Sequence, residues 1–416
     1  MKILMVNKFH YRRGGSETYY FALSQALEKA GNQVIFFAMQ DDKNIPCRQE
    51  QYFVRNKDYS HSGITDQINN ALSSVYSFEA KRNFEQLVSK EKPDIVHINL
   101  VHRQITLSIL DVCSKYHIPV VFTAHDLVCC CPVGSLLTPQ YVSCRKCYGG
   151  HYINCLKNKC IKNSLPKSII AFFEANFYKS HHYYNKIDAY ITPSLFYKKE
   201  IEKSKITSNP VYHLTNFLPV ETEFVQAKKR EKYFLYLGSL SKNKGVYTLL
   251  KAFHKADLPG WKLVYAGTGE EEERMKKYIA ENSLQDRVEL LGFVTGPSLK
   301  EVTESSYAVV LPSEWYENGP YALMEPMAYG KPAIGANIGG IPELVIEGQT
   351  GWLFESGNTE QLSQALKNAA GISPEEYDKL SKKVCEFAKA HFDADAYVGN
   401  LTKIYKNLVE NKYENL

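Results

Sequence analysis

The chain contains two successive series of short, β-rich apolar runs that are separated by helical stretches. The first series is KILMVN, QVIFFA, DIVHIN, PVVFTAHD and DAYITPS, and the second is YFLYLG, WKLVYAG, VELLGF, AVVLPS, PAIGAN and GWLF. Short apolar runs that alternate with helices are typical of parallel strands covered on both faces. The sequence therefore predicts an α/β protein with two doubly wound sheets.

A polar stretch with a proline, NFLPVETEFVQAKKREK, separates the two series, and we place the linker near 218–231. At 416 residues, of which 44% are apolar, the chain is long enough to form two domains with separate cores. We therefore predict a first domain at 1–220 and a second domain at 221–390. The remaining segment, 391–416, has a helical pattern, and we expect it to cross back to the first domain.

Charge and hydropathy narrow the class of protein. A net charge of +5 is mild for this length and does not by itself indicate nucleic-acid binding, so we expect no nucleic-acid partner. The opening MKILMVNKFHYRRGG has too short an apolar run for a signal-peptide core or a membrane span. No later segment approaches the roughly 18 uninterrupted apolar residues of a spanning helix. We therefore expect a cytoplasmic protein.

One region indicates contact with a membrane surface. Residues 157–205 carry ten lysines against four acidic residues, interleaved with the aromatic residues of IIAFFEANFYKSHHYY. Such a region could lie on the cytoplasmic face of a membrane, with its lysines against anionic headgroups. An ordinary helix, whose aromatic side chains pack inside while its lysines stay solvated, explains the same pattern.

Glycine-rich loops follow the strands of the second series, at the carboxyl ends where open α/β sheets bind ligands. They are LGSLSKNKG at 237–245, AGTGE at 266–270 and LLGFV at 290–294. A further helix is predicted to begin near Gly319 and Pro320, with the proline in its first turn. The amino end of a helix is a natural anion site, and Lys244 offers a cation. The arrangement suits a diphosphate.

The segment ENGPYALME places two carboxylates, Glu317 and Glu325, on either side of this predicted helix start. Glu317 precedes the helix, and Glu325 lies about one and a half turns inside it. Carboxylates accept hydrogen bonds from paired hydroxyl groups such as those of ribose or a hexose. A single glutamate there is ordinarily a solvated helix end or cap, but the surrounding loops favour a ligand that carries phosphate and hydroxyl groups.

The ordered motifs GSLSKNKG, GTGE, ENGPYALME, GGIPE and TGWLF resemble the nucleotide-sugar domain of retaining glycosyltransferases of family 4. GGSE at 14–17 and TAHD at 123–126 also match that family, so the resemblance spans nearly the whole chain. It implies the GT-B fold, in which two Rossmann-like domains face each other across a cleft. It also implies transfer of a sugar from a nucleotide-diphosphate donor to a glycan or lipid-linked acceptor, with retention of configuration and no cofactor for catalysis.

The resemblance implies roles for individual residues. Glu317 would contact the transferred sugar, His125 would reach that sugar from the opposite wall, and Lys244 would neutralise the diphosphate. These three would be the catalytic residues, while Glu325 would hold the ribose hydroxyl groups. Further donor contacts would come from Gly14, Gly15, Ser239, Gly267, Gly269, Phe293, Val294, Asn318, Gly319, Pro320 and Tyr321. A polar residue satisfied at a strand end is the alternative for His125.

Three positions depart from the family pattern. Ser239 stands where the family has a phosphate-binding arginine, and Lys242 is a possible replacement. Pro320 interrupts the usual Gly-Phe-Gly and removes a backbone donor. Pro326 would forfeit a helical hydrogen bond, so we expect either a kink there or a helix that starts later.

Ten cysteines occur in the chain, and seven lie between residues 129 and 160. Because a cytoplasmic chain disfavours disulfides, the spacing of Cys144, Cys147, Cys155 and Cys160 predicts a structural zinc site. Cys131 or His151 could replace either late ligand, and reduced thiols in a loop are the alternative. The insertion at 129–160 follows the TAHD motif, so we expect it to overhang the acceptor side.

Two other classes of protein remain open. The cysteine cluster and the lysine-rich region could belong to a nucleic-acid or protein-binding module with a zinc-stapled insertion, but such a module does not need two wound sheets with glycine loops. A nicotinamide-dependent oxidoreductase would carry Gly-x-Gly-x-x-Gly after the first strand, where this chain has Gly14 and Gly15 instead. The sequence therefore favours a sugar transferase.

Overall fold

The computed structural model describes residues 1–56 and 73–413, and it contains two compact units. The first unit comprises Met1–Val220 together with Ala394–Leu416, and the second comprises Glu221–Asp393. Each unit has a six-stranded sheet in which all neighbouring strands are parallel. The predicted α/β class with two doubly wound sheets is confirmed.

The first sheet has the strand order β2-β1-β3-β4-β5-β6. Its interior strands are buried along their length because helices cover both faces. Its edge strand β6 is half-exposed and lacks an apolar run, which is why the sequence patterns missed it. The strands are β1 Lys2–Val6, β2 Gln33–Phe37, β3 Ile95–Ile98, β4 Val120–Thr123, β5 Ala189–Thr192 and β6 Val211–His213.

The helices of the first unit bury one face and expose the other. Ser77 and Ser194 each cap a helix by accepting a hydrogen bond from a first-turn backbone N–H. Within the residues that the structure describes, the helices include Gly15–Lys29, Phe78–Glu91, Ile109–Lys115, Ile153–Lys157, Leu165–Ser180, Leu195–Ser204 and Ala394–Tyr413. In the described part of the chain, no helix combines the length and apolar character needed to cross a membrane.

The last helix, Ala394–Tyr413, joins the first unit through a buried chain of polar groups. The hydroxyl of Tyr405 is hydrogen-bonded to Nδ1 of His97, and Nε2 of His97 lies 2.7 Å from the hydroxyl of Thr123. That hydroxyl is 3.2 Å from the hydroxyl of Tyr19, which lies 2.6 Å from the hydroxyl of Tyr397. Buried polar groups that satisfy one another fix how a helix docks.

The second sheet has the strand order β12-β11-β10-β7-β8-β9. Its strands are β7 Tyr233–Leu237, β8 Lys262–Ala266, β9 Val288–Leu290, β10 Ala308–Leu311, β11 Ala333–Ala336 and β12 Gly351–Phe354. Its helices are Val246–Ala256, Glu272–Glu281, Gly296–Ser305, Tyr321–Ala328, Ile341–Leu344, Thr359–Gly371 and Pro374–His391. All six apolar runs of the second series correspond to strands.

In each sheet the strand order reverses at one place. The reversal lies between β1 and β3 in the first sheet and between β7 and β10 in the second. Loops that leave such a pair of strands run in opposite directions and open a crevice between them. The chemistry of each unit is therefore expected at these two positions.

Candidate active site

The loops that follow β7 and β10 are joined at the reversal point of the second sheet. The backbone N–H of Glu314 donates to the carbonyl of Asn243 at 2.8 Å, and the hydroxyl of Thr248 donates to Oε1 of Glu314 at 2.6 Å. Gly245 has a φ of +67°, and a Cβ there would lie 1.9 Å from the carbonyl oxygen of Pro312. Only glycine permits this approach, so the two loops are held in a fixed relation.

Glu317 lies at the centre of this pair of loops and is almost fully buried. Its Oε1 accepts hydrogen bonds from Nζ of Lys244 at 2.7 Å, from Oγ of Ser313 at 2.7 Å and from Nε1 of Trp315 at 2.8 Å. Nζ of Lys244 also lies 4.7 Å from the centre of the Trp315 ring. The structure thus brings together two of the three predicted catalytic residues.

The electrostatics of this cluster favour the charged form of Glu317. Burial alone would raise the pKa of Glu317, but the Lys244 ammonium and the hydrogen bonds from Ser313 and Trp315 outweigh it and hold the pKa below its usual 4.5. Glu317 is therefore a carboxylate at neutral pH. It serves as an acceptor and counter-ion, and it is not a proton donor.

A pair of glycines fixes the backbone of Glu317. The N–H of Gly340 donates to the carbonyl of Glu317 at 2.7 Å. Gly339 has a φ of +60°, and a Cβ there would lie 2.5 Å from that carbonyl oxygen. Sequence reasoning quoted GGIPE as a motif but missed this positioning role, and it also missed Ser313 and Trp315. Their nearness to Glu317 in LPSEWYE was the signal that could have found them.

Glu325 has a different environment, because none of the described residues donates a hydrogen bond to its carboxylate or forms an ion pair with it. It is mostly buried, and this burial raises its pKa from 4.5 to about 7. A mostly buried carboxylate without a partner is stabilised when a hydroxyl or amide group of a ligand donates a hydrogen bond to it.

The helix that bears Glu325 starts slightly later than predicted. It spans Tyr321–Ala328, and Pro320 is its cap in an extended conformation, so the proline does not lie in the first turn. The N–H groups of Leu323 and Met324 donate to the carbonyl of Pro320 at 3.0 and 3.3 Å. Pro326 lies inside the helix. The helix thus starts later than predicted, but Pro326 still lies in its second turn, where it has no N–H to donate to the carbonyl of residue 322. Asn318 and Gly319 lie half-buried in the preceding loop.

Gly267 and Gly269 allow the loop after β8 to pack against the loop after β7. A Cβ at Gly267 would lie 1.8 Å from the carbonyl oxygen of Gly238, and one at Gly269 would lie 2.3 Å from that of Leu240. The N–H of Leu240 donates to the carbonyl of Thr268 at 2.9 Å. These glycines therefore have a packing reason in addition to the predicted contact with the donor.

The remaining predicted donor residues of the second unit lie on exposed loops. Ser239 is exposed, its hydroxyl lies 3.2 Å from that of Ser241, and Lys242 is exposed farther along the same loop. Phe293 is 81% exposed, which leaves its ring face available for stacking. Val294 packs against the buried cluster Tyr233, Leu235, Leu237, Val264 and Ala266.

His125 lies in the first unit, directly after β4. Its Nε2 is 2.9 Å from Oδ1 of Asn99, and its ring meets that of Tyr19 edge to face at 5.0 Å. Burial lowers the pKa of His125 to about 3, so the imidazole is neutral. Because an amide oxygen only accepts, Nε2 carries the proton and Nδ1 is an acceptor. Asn99 follows β3 and was missed by sequence reasoning.

Gly14 and Gly15 lie after β1, at the reversal point of the first sheet. Gly14 is the cap of helix Gly15–Lys29, and no side chain caps this helix. Both glycines are exposed, as are Arg12 and Arg13 before them. An uncapped helix start beside two arginines is an electropositive surface.

The predicted zinc ligands do not form a metal centre in the structure. Within residues 1–56 and 73–413, no three His, Cys, Asp or Glu side chains are grouped so that they could hold a metal ion. Cys147 and Cys155 pack in a buried cluster with residues of helix Leu165–Ser180, and Cys160 packs against that cluster. Cys144 is only half-buried. The thiols thus have a packing role, and zinc binding stays a prediction.

Two family profiles match the chain. The profile described as Glycosyltransferase Family 4 matches residues 13–222, and the profile described as Glycosyl transferases group 1 matches residues 220–386. Together they span both units of the structure.

Three individual relatives share between 24% and 28% sequence identity with the chain. An α-D-kanosaminyltransferase of Streptomyces kanamyceticus is 24% identical over 220 residues, which make up 50% of this chain and 56% of that protein. The amylovoran biosynthesis glycosyltransferase AmsK of Erwinia amylovora is 28% identical over 183 residues, 42% of this chain and 43% of that protein. The chain thus spans about half the length of these two relatives. An uncharacterized 42.6 kDa protein in the cps region of Klebsiella pneumoniae is 24% identical over 361 residues, 83% of this chain and 87% of that protein.

Solved structures extend the likeness to the whole chain. Sucrose-phosphate synthase from Thermosynechococcus elongatus has a TM-score of 0.70 at 18% identity and covers 99% of both chains. Anabaena HepE in complex with UDP and glucose has a TM-score of 0.68 at 14% identity and covers 98% of this chain and 100% of the other. At these identities the likeness shows the fold alone. Because the first profile covers just over half of the chain and the fold agrees with it, we conclude that the chain belongs to glycosyltransferase family 4 and has the GT-B fold.

Proposed function

We propose that the protein transfers a hexose from a nucleotide-diphosphate donor to a glycan or lipid-linked glycan acceptor, with retention of the anomeric configuration. Family membership supports the transfer of a sugar, and the name of AmsK supports an acceptor used in polysaccharide biosynthesis. The complex of HepE with UDP and glucose supports a nucleotide-sugar donor. These matches support neither the oxidoreductase nor the binding module considered above.

The observation that carries the proposal is the Lys244–Glu317 pair at the reversal point of the second sheet. A donor diphosphate that approached Lys244 would compete with Glu317 for the same ammonium group. As that ion pair loosened, Oε1 of Glu317 would become available to a hydroxyl or amide of the transferred sugar. The pair therefore offers one polar group to the phosphate and one to the sugar.

Glu325 supplies the second half of the donor site in this proposal. Its carboxylate has no partner among the described residues, and two neighbouring ribose hydroxyl groups could both donate to it. These hydrogen bonds would lower the pKa of Glu325 back toward its usual range. Phe293, which is exposed on the loop after β9, would then be available to the base.

The state of Glu317 favours one of two retaining mechanisms. A double displacement needs a carboxylate whose oxygen is free to attack the sugar. Oε1 of Glu317 already accepts three hydrogen bonds, so only Oε2 could attack, and the lowered pKa makes the carboxylate a weak nucleophile. We therefore favour attack by the acceptor hydroxyl on the same face, while the diphosphate leaves toward Lys244.

A donor panel tests the proposed function. The protein would be incubated with UDP-, GDP-, ADP- and dTDP-linked hexoses, and the release of nucleotide diphosphate would be followed with and without glycan acceptors. We expect release from one donor and, by NMR, a product with the anomeric configuration of that donor. No release from any of them, or an inverted product, would contradict the proposal.

We further propose that the acceptor is met at the cytoplasmic face of a membrane. The support is the excess of lysines over acidic residues in 157–205 and the lipid-linked acceptors that the family resemblance implies. Fractionation of the producing cells tests this location. Recovery of the protein in the fraction without membranes at low salt would contradict it.

A further inference from the structure

The cysteine-rich insertion and the helix that follows it form the most basic stretch of the chain. Residues 127–173 contain no aspartate or glutamate, and they carry Arg145, Lys146, Lys157, Lys159, Lys162 and Lys167. The chain as a whole has a net charge of +5, so the rest of it is close to neutral. The positive charge of the protein is thus concentrated in one segment.

The lysines of this segment are exposed and have no acidic partners. Lys146, Lys157, Lys159, Lys162 and Lys167 are all exposed, and none forms an ion pair with any residue that the structure describes. Arg145 differs, because it is paired with Glu200 at 2.6 Å. Five unpaired ammonium groups in one segment produce a local positive potential that reaches about 10 Å into solution at moderate salt.

Helix Leu165–Ser180 in the same segment presents apolar side chains to solvent. Leu165, Ile169 and Phe173 are four residues apart, so they form a single stripe on the helix, and Phe173 is 60% exposed. The opposite face of the helix, with Ala171 and Ala175, packs against the cysteine cluster. The helix is therefore apolar on both faces, although only one face is covered by the protein.

More exposed apolar side chains occur in the insertion itself. Ile153, at the start of the short helix packed against Leu165–Ser180, is exposed, and so are Tyr141 and Val142 in the preceding loop. Large apolar side chains are exposed singly on most proteins, but their concentration in the most basic segment of a chain is unusual. Below, the basic apolar surface means the stripe of Leu165, Ile169 and Phe173 together with the exposed Lys162, which lies just before the helix.

We propose that the basic apolar surface docks the protein on an anionic lipid membrane. The apolar stripe would enter the boundary between headgroups and acyl chains, and the lysines would face the anionic headgroups. This inference deepens the proposed function, because a docked enzyme would meet a lipid-linked acceptor at the membrane. It replaces the broad 157–205 region expected from the sequence with a defined helix face.

The charges favour a membrane over a second copy of the chain. In a symmetric dimer each surface meets its own copy, so the unpaired lysines of both copies would be brought together without any acidic residue to offset them. An anionic lipid surface supplies the missing negative charge along with an apolar phase. The membrane therefore meets both requirements of the surface, the apolar contact and the negative charge.

Vesicle co-sedimentation tests the inference with the full-length protein. We expect it to sediment with vesicles of phosphatidylglycerol and phosphatidylcholine, to stay in solution with phosphatidylcholine alone, and to be released by salt. Ile169→Glu with Phe173→Glu should weaken binding by roughly tenfold or more, because two apolar contacts are lost and two negative charges added. Lys162→Gln should weaken it by about fivefold.

A matched control uses another exposed phenylalanine of the same unit. Phe78 is 79% exposed at the start of helix Phe78–Glu91, outside the basic segment. Phe78→Glu should leave vesicle binding unchanged, and thermal melting should show that all variants fold. Failure of the wild type to bind anionic vesicles would overturn the inference, and so would equal binding by the double variant.

Two further measurements test whether a second copy of the chain covers the surface and whether membrane docking is separable from turnover. If gel filtration shows a dimer that the double variant converts to a monomer, the occupant of the surface is a second copy and the inference is wrong. Release of nucleotide from the donor without vesicles should be the same in the double variant and the wild type. A wild type that releases nucleotide but does not bind anionic vesicles would contradict this inference alone, and a wild type that binds vesicles but releases no nucleotide would contradict the proposed function alone.

Discussion

Glu317 is held by contacts that join three separate parts of the second unit. Its side chain accepts from Lys244 of the loop after β7, and its backbone accepts from Gly340 of the loop after β11. An acidic residue with this many donors is a preorganised acceptor whose position does not depend on solvent. Its identity could be predicted from the motif ENGPYALME, and Ser313 and Trp315 lie near it in the sequence, but the contacts with Lys244 and Gly340 could not be predicted, because those residues lie far from Glu317 in the sequence.

Replacing the charge of Glu317 tests its part in catalysis. Glu317→Gln keeps the size of the side chain but removes the counter-charge of Lys244 and the anionic acceptor. We expect kcat to fall by about 10²–10³, with a smaller change in KM for the donor. Initial rates measure both, and Glu301→Gln, an exposed residue of helix Gly296–Ser305, is the control. An unchanged kcat would remove Glu317 from the mechanism.

Glu325 gives the protein a predictable dependence of stability on pH. Because burial raises its pKa to about 7 in the folded state, the folded protein keeps a proton that the unfolded chain loses above about pH 4.5. The contribution of this group to stability is therefore complete below pH 4.5 and is lost as the pH rises to about 7 and beyond.

The matching variant is Glu325→Gln, which cannot ionise. Its free energy of unfolding should exceed that of the wild type by up to about 3 kcal/mol at pH 8, since one unit of pKa corresponds to about 1.4 kcal/mol. At pH 4 the two proteins should be nearly equal. Urea unfolding at both pH values measures the difference, and a gain that does not depend on pH would show that Glu325 is not buried as described.

Glycines in the loops of the second unit adopt backbone conformations with positive φ, and some of them also leave room for a neighbouring backbone atom. A pair of substitutions separates these two roles. Gly339 and Gly348 both have positive φ, but a Cβ at Gly339 would lie 2.5 Å from the Glu317 carbonyl, whereas one at Gly348 meets open space. Gly348→Ala should therefore cost about 1 kcal/mol for its backbone conformation alone. Gly339→Ala should cost more and also lower kcat, because it displaces Glu317.

Thermal melts and initial rates of the two alanine variants provide the comparison. The expected result is a lower melting temperature for both and a loss of turnover for Gly339→Ala only. Equal effects of the two substitutions on kcat would mean that the Gly339–Gly340 pair does not position the site.

The cysteine insertion carries the prediction of a structural zinc site. Spacing alone predicted zinc, while the structure packs Cys147, Cys155 and Cys160 with apolar side chains. Elemental analysis of protein prepared under reducing, chelator-free conditions is expected to give about one zinc per chain if the thiols close around a metal. Cys147→Ser should then lower the zinc content, and a wild-type preparation without zinc would reject the site.

The strands were predictable because doubly covered parallel strands leave continuous apolar runs. All eleven predicted runs are strands, eight of them in the interior of a sheet, whereas β6, which was not predicted, is a short half-exposed edge strand. Helix ends were less predictable. The start of helix Tyr321–Ala328 was misplaced by about one residue, because a proline fits both a cap and a first turn.

For the protein as a unit of function, the two sheets carry different chemistry at their reversal points. The first has the electropositive helix start at Gly14, with neutral His125 after β4, the strand beside β3, and the second has the Lys244–Glu317 pair and unpartnered Glu325. Fold and family followed from ordered motifs, which are local in sequence. The identity of the sugar, base and acceptor did not, because it depends on the shape of side chains around these motifs.

The central claim is that the second unit builds a nucleotide-sugar site from Lys244 and Glu325, and a calorimetric titration tests it most directly. UDP, GDP, ADP and dTDP would be titrated into the full-length wild type and into Lys244→Ala and Glu325→Ala, with Lys300→Ala on an exposed helix as the control. We predict that one nucleotide binds, that each site variant weakens it by about tenfold or more, and that the control does not. Binding that is indifferent to both site substitutions, or no binding of any nucleotide, would contradict this account.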